Sequence, residues 1–153
     1  MTRLGLASLV SLTAILLSAT SAAQDLAPQA VEQIQALLEE KAARTPVQQR
    51  IDSQLLAAAR MRRGQPVARG IPRLESVWGR VRRLPGDRVL VDIRADVDDA
   101  LLARLAGLGA RVESAFPEYR AVRAEIPLDR VEPIAALAGV SFVEPAAKAT
   151  TNT

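Results

Sequence analysis

The chain contains no cysteine and no histidine. Without cysteine there is no disulfide, no thiol nucleophile and no lipid-modified cysteine anchor. Without histidine a complete Ser-His-Asp triad cannot be assembled from these residues, nor can a histidine-containing zinc site. Aromatics are nearly absent as well: one Trp, one Tyr and two Phe in 153 residues. Lysine occurs only as Lys41 and Lys148, so the net charge of +3 is an arginine charge. The carboxylates are scattered singly, apart from Glu39-Glu40 and from Asp98 and Asp99 at an expected helix start, where the latter suit the helix dipole. There is no paired-acid constellation, no phosphate-binding loop and no dinucleotide fingerprint. This inventory argues against an enzyme, and no catalytic residue, metal ligand or cofactor is expected.

What is present begins with a secretory signal over residues 1–23. Arg3 supplies the basic start, LGLASLVSLTAILL the apolar centre, and Ser21-Ala22-Ala23 a small-x-small cleavage site before Gln24. The apolar centre is shorter than the ~20 residues a membrane span needs. The expectation is a secreted or periplasmic product with no membrane contact after cleavage.

Residues 24–63 read as a helical segment. Val31, Ile34, Ala36, Leu37 and Leu38 alternate with Glu32, Gln33, Glu39 and Glu40 at helical spacing. Thr45, Pro46 and Gln48 then form a capping-box start, followed by a stripe of Val47, Ile51, Leu55 and Ala58 or Ala59. Residues 64–87 are a linker rich in Arg, Gly and Pro. Within it, residues 76–82 suit an extra strand, joined to Arg88 by the turn Leu84-Pro85-Gly86-Asp87. The arginines crowded between Arg60 and Arg83 could meet phosphates, but Trp78 alone is available there for base stacking. A solvated linker is the simpler account, and no nucleic acid is expected as a partner.

Residues 88–146 carry the strongest pattern: strand, helix, strand, strand, helix, strand. RVLVDIRA alternates, with Val89, Val91 and Ile93 on one face and Asp92 and Arg94 on the other. Asp96 can cap a helix with the stripe Val97, Leu101, Leu105 and Leu108, closed by Gly109. RVESAF puts Val112, Ser114 and Phe116 on one side, and YRAVRAEI alternates Val122, Ala124 and Ile126 with Arg123 and Glu125. A helix over 128–137 turns Val131, Ile134 and Leu137 inward, with Pro133 tolerable only in its first turn. VSFVEP is the last strand. The expected core centres on Val91, Ile93, Leu105, Val122 and Ile134, with Phe116 and Phe142 on the helix-facing side or at its rim.

The expected fold class is therefore α+β: a ferredoxin-like split β-α-β-β-α-β sandwich with a four-stranded antiparallel sheet, preceded by the N-terminal helical segment. An extra strand before Arg88 poses a problem in that frame. The first strand already has two neighbours, so a preceding hairpin partner has room only beyond the end of the sheet. An RNA-binding module of this order would need aromatics on its central strands, and here those positions hold Arg, Val and Asp.

The run from Leu108 to Ala146 resembles the propeptide domain of subtilisin-type serine proteases and the small free inhibitors related to it. The matching features are the glycine after the first helix (Gly109), Val112-x-x-x-Phe116, the stripe of Val131, Ile134 and Leu137, and Val140, Phe142, Val143 and Glu144 in the last strand. The resemblance spans about residues 88–146 and rests on small and apolar residues. It implies a domain that binds a folded subtilisin-type protease, in cis or in trans, as inhibitor and intramolecular chaperone. In such domains the outer face of the sheet meets two surface helices of the protease. The segment after the last strand enters the cleft like a product.

Glu144 matches an acid that caps a protease helix, whereas the place of a second acid is taken by Ala146. The implied protease-binding segment is Glu144, Pro145, Ala146, Ala147, Lys148, Ala149, Thr150, Thr151, Asn152 and Thr153, with residues 147–153 as an extended tail. An exported ferredoxin-like module for protein interaction or small-ligand binding, with no protease partner, stands as the alternative.

Overall fold

Alternation decides the centre of the molecule. In the strand Arg88–Ala95 every second residue, Val89, Val91, Ile93 and Ala95, is buried, as a strand with one face on a core requires. A computed structural model of the chain describes residues 28–147. The expected signal at 1–23 and the tail at 148–153 lie outside the described residues. Five strands are described: β1 (Arg83–Leu84), β2 (Arg88–Ala95), β3 (Arg111–Phe116), β4 (Ala121–Pro127) and β5 (Val140–Pro145). The α-helices among the described residues are α1 (Pro28–Ala42), α2 (Ser53–Arg62), α3 (Asp99–Gly107) and α4 (Val131–Ala135). The architecture is α+β, with one open antiparallel sheet.

β2 is the spine of that sheet. β4 runs along one edge of it, from Arg88↔Pro127 to Arg94↔Ala121. β5 takes the other edge, from Ala95↔Val140 to Val91↔Pro145. β3 pairs with the far side of β4. β1 meets β2 only at Val89 and Arg88, on the stretch that β5 leaves free. The hairpin strand thus sits end-on to β5, beyond the end of that strand. Its position is two residues long and falls at Arg83–Leu84, not at 76–82. Residues Glu75–Gly79 form a 3-10 turn instead, which buries Val77.

Several helix boundaries differ from the sequence pattern, each for a local reason. α3 is capped by Asp98, whose carboxylate accepts from the Leu101 N–H at 2.6 Å, and not by Asp96. The Asp96 N–H is already given to the Gly139 carbonyl at 3.0 Å, so the chain is still tied to the strand side there. Gly109 follows α3 at φ +82°, a conformation that glycine adopts without a Cβ penalty. The Thr45–Gln48 capping box forms reciprocally, with both bonds at 3.2 Å, yet it starts only the 3-10 turn Gln48–Arg50. Ile51 is extended (φ −118°, ψ 134°) and bridges to Val143. Asp52 then caps α2 by accepting from the N–H groups of Gln54 and Leu55. The single helix expected from Val47 to Ala59 is therefore broken at Ile51.

The second helix of the expected pattern is also shorter, a 3-10 turn at Leu128–Arg130 followed by α4. Pro133 is the third residue of α4, where a backbone N–H would have no intrahelical acceptor, so it costs little. Leu55, Leu56, Ala58 and Ala59 of α2, Leu101 and Leu105 of α3, and Val131 and Ile134 of α4 are buried with the inner face of the sheet. Val67, Ala68, Ile71, Val77 and Val81 join the same cluster. The arginines of that region are engaged too. Arg60 pairs with Glu40 at 2.7 Å, Arg62 with Asp87 at 2.8 Å, and Arg63 with Glu132.

Two aromatics lie on the other side of the sheet from the one expected. The ladder between β3 and β4 is irregular between Val112 and Ser114, so Val112 does not share a face with Ser114 and Phe116. Phe116 stands opposite Ala121 and is 45% exposed. In β5 a shift between Arg94 and Ala95 sets Phe142 opposite Arg94, on the outer face, while Val140 and Val143 point inward.

Candidate functional site

The outer face of the sheet is built by cross-strand register. Residues directly opposite one another share a face, and the pairings define two rows. One row runs Phe116, Ala121, Arg94, Phe142; the other runs Ser114, Arg123, Asp92, Glu144. The charged row is internally matched. Arg123 holds Asp92 through two hydrogen bonds, at 2.7 and 2.8 Å, in the fork geometry that suits a carboxylate. Asp92 in turn raises the pKa of the Arg123 side chain, so that guanidinium stays charged.

Arg94 ties the two rows together. Its guanidinium donates to Glu144 Oε1 at 2.9 Å and lies 5.8 Å from the centroid of the Phe142 ring, within cation–π range. At the β3 end Phe116 meets Tyr119 edge-on, with ring centroids 6.3 Å apart. Tyr119 is 75% exposed, on the 3-10 turn Pro117–Tyr119 between β3 and β4. Three of the four aromatic side chains of the chain therefore lie at this open face or its rim. A shallow depression of about 510 Å³ runs over it, lined by Asp92, Arg94, Phe116, Tyr119, Arg123 and Glu144.

Of the segment expected to bind a protease, Glu144 and Pro145 end β5. Ala146 adds one more bond, from its N–H to the Leu90 carbonyl at 3.0 Å. Glu144 to Ala147 line a cleft of about 370 Å³ together with Asp52, Gly79 and Arg80. Lys148, Ala149, Thr150, Thr151, Asn152 and Thr153 lie outside the described residues.

Tyr119, Asp92, Arg123 and Arg94 were not singled out as site residues from the sequence. The signal for Asp92 and Arg123 was present in the alternation of β2 and β4, which puts opposite charges on the same face. For Arg94 and Glu144 the signal was hidden by the register shift in β5.

Among the described residues no group of three or more Asp, Glu, His or Cys is arranged to hold a metal ion, and no helix is long and apolar enough to cross a membrane. The chemistry on offer at the open face is recognition: exposed rings, arginine forks and a strand end carrying a carboxylate. No model of a known protein family matches the chain, and no curated protein or solved structure does either.

Proposed function

We propose that this chain acts as a propeptide domain of the subtilisin type: an exported, non-catalytic protein that binds a folded subtilisin-like serine protease, in cis or in trans, as inhibitor and folding chaperone. The proposed frame is the ferredoxin-like split β-α-β-β-α-β fold, with β2, α3, β3, β4, α4 and β5 as its six elements. The flanking of β2 by β4 and β5, with β3 outside β4, supports that frame.

The observation that carries the functional reading is the outer face of the sheet, uncovered among the described residues, with Phe116, Tyr119 and Phe142 beside paired charges. Rings and arginines set among polar groups are what protein-binding surfaces are enriched in. On this reading the face lies against surface helices of the protease. β5 then delivers Glu144 to a helix N-terminus, a contact worth about 0.3–1 kcal/mol when exposed. The chain leaving the sheet after Ala146 runs on into the active-site cleft in the manner of a product. Chaperone action follows from linkage: a partner that binds the folded protease and not its unfolded chain lowers the folded state.

The test is a titration of the purified chain against several subtilisin-type proteases. The expected result is saturable slowing of peptide hydrolysis, with no hydrolysis by the chain itself. Unslowed hydrolysis at high micromolar concentrations of the chain overturns the reading.

A further inference from the structure

A second site lies away from the outer face of the sheet, between residues of α1 and α2. A cavity of about 300 Å³ opens between them, at the lower end of the roughly 300–1,000 Å³ usual for small-molecule sites. Its walls are almost wholly apolar, from Leu37, Leu56, Val67, Leu74 and Val77. Ile34 and Leu38 of α1 also line it and are 48% and 62% exposed.

The polar groups at this cavity are few and unbalanced. Lys41, Arg44 and Arg60 line it against a single acid, Glu40. Glu40 is shared, with Arg44 and Arg60 each reaching it at 2.7 Å. One carboxylate between two guanidinium groups leaves a net positive charge, and Lys41 adds to it. Gln54 also lines the cavity, and its Oε1 is buried without a hydrogen-bond partner.

From these observations we propose that the cavity binds a single-chain aliphatic carboxylate, with its hydrocarbon tail between α1 and α2 and its carboxylate at Lys41, Arg44 and Arg60. An uncharged hydrocarbon would fill the apolar walls but leave the excess charge unanswered. A cationic amphiphile would meet like charge at the rim.

The probe is decanoate, kept below its micelle-forming concentration and titrated into the full chain by calorimetry. The expected result is one saturable site per chain with a negative heat-capacity change, the mark of apolar burial. Decyltrimethylammonium should bind at least about tenfold more weakly, a difference that isolates the charge. Ala57 of α2 also lines the cavity, and Ala57→Phe, which fills it, should abolish decanoate binding. Leu38→Glu, on an exposed position at the mouth, should weaken it about tenfold while leaving the thermal melt unchanged. Absence of a saturable signal on the folded chain overturns the proposal, as does equal affinity for the cationic probe. So does undiminished binding by a Leu38→Glu chain that melts normally. A chain found by sedimentation to be a dimer that Leu38→Glu dissociates would assign the exposed row of α1 to a second copy and overturn it as well.

Discussion

Arg123 on β4 and Asp92 on β2 face one another across the ladder, and Arg123 donates two hydrogen bonds to the Asp92 carboxylate, at 2.7 and 2.8 Å, on the side of the sheet away from the helices. That fork keeps both strands in register at the middle of the open face. It also neutralises the charges that would otherwise oppose docking of a second surface, so the rings at either side become the main features a partner can grip.

The exposed rings are therefore expected to matter for binding and not for stability. Replacing Phe116 and Tyr119 together by Ser should weaken inhibition of a subtilisin-type protease by more than about 1 kcal/mol, the usual loss for an aromatic anchor in an interface. Neither ring is buried in the free chain, so the thermal melt should stay within a degree or two of the parent. Inhibition titrations and melts on the same preparations check both halves.

The end of the chain should separate inhibition from folding in the same way. Among the described residues the last sheet bond comes from the Ala146 N–H, so removing residues 147–153 should leave the melting temperature nearly unchanged. Protease affinity should fall, because product-like occupation of the cleft is lost. Glu144→Ala should remove a smaller increment, about 0.3–2 kcal/mol, although it also frees Arg94 from its partner. Unchanged affinity on tail deletion would mean that this end does not enter an active site.

Leu105 is fully buried beneath the sheet in the one core cluster. Leu105→Ala should cost about 2–5 kcal/mol, a large share of the ~5–15 kcal/mol that holds a typical domain. Chemical denaturation followed by circular dichroism should give a far lower midpoint, or no folded baseline at all. A near-parental melt would show that α3 packs elsewhere.

Acid should weaken the attachment of α2 to α4. Burial works against ionisation of Glu132, but the Arg63 guanidinium and the Gln48 amide outweigh it and hold the carboxyl below its ordinary value. Glu40 is governed in the same way, with burial opposed and overcome by Arg44 and Arg60. A carboxyl whose pKa is lower folded than unfolded adds stability that is complete above the unfolded value, about 4.3 for Glu. That stability is lost as pH falls through the folded value. Urea midpoints should therefore be flat above about pH 5 and fall below about pH 4.3. Glu132→Gln should lower the plateau and shallow the fall, which a pH series of melts on both proteins will read.

The inner face of the molecule was legible in the sequence because it is periodic. Val89, Val91 and Ile93, the row Leu101 and Leu105, and the turn at Gly109 each announce themselves by spacing or by backbone need. What escaped was set by partners far along the chain. Nothing in the run from Val47 to Ala59 says that Ile51 must leave the helix. It does so because Asp52 donates its N–H to the Val143 carbonyl at 2.9 Å. The same holds for the candidate site: Glu144 could be placed at a strand end, but its link to Arg94 depends on a register shift that period-two counting skips. Phe116 and Phe142 were expected on the helix-facing side or at its rim, and irregular pairing sets both on the outer face.

The bridge from Ile51 to Val143 also sets an order in time. Arg50 likewise reaches the Val140 carbonyl across 90 positions. A chain synthesised from its amino end cannot make these contacts until β5 has emerged. Pairings of such long range delay folding and prolong the exposure of sticky surface. A product cut short before β5 would lose more than one strand, since the free edge of β2 and the mooring of α2 would be laid bare together.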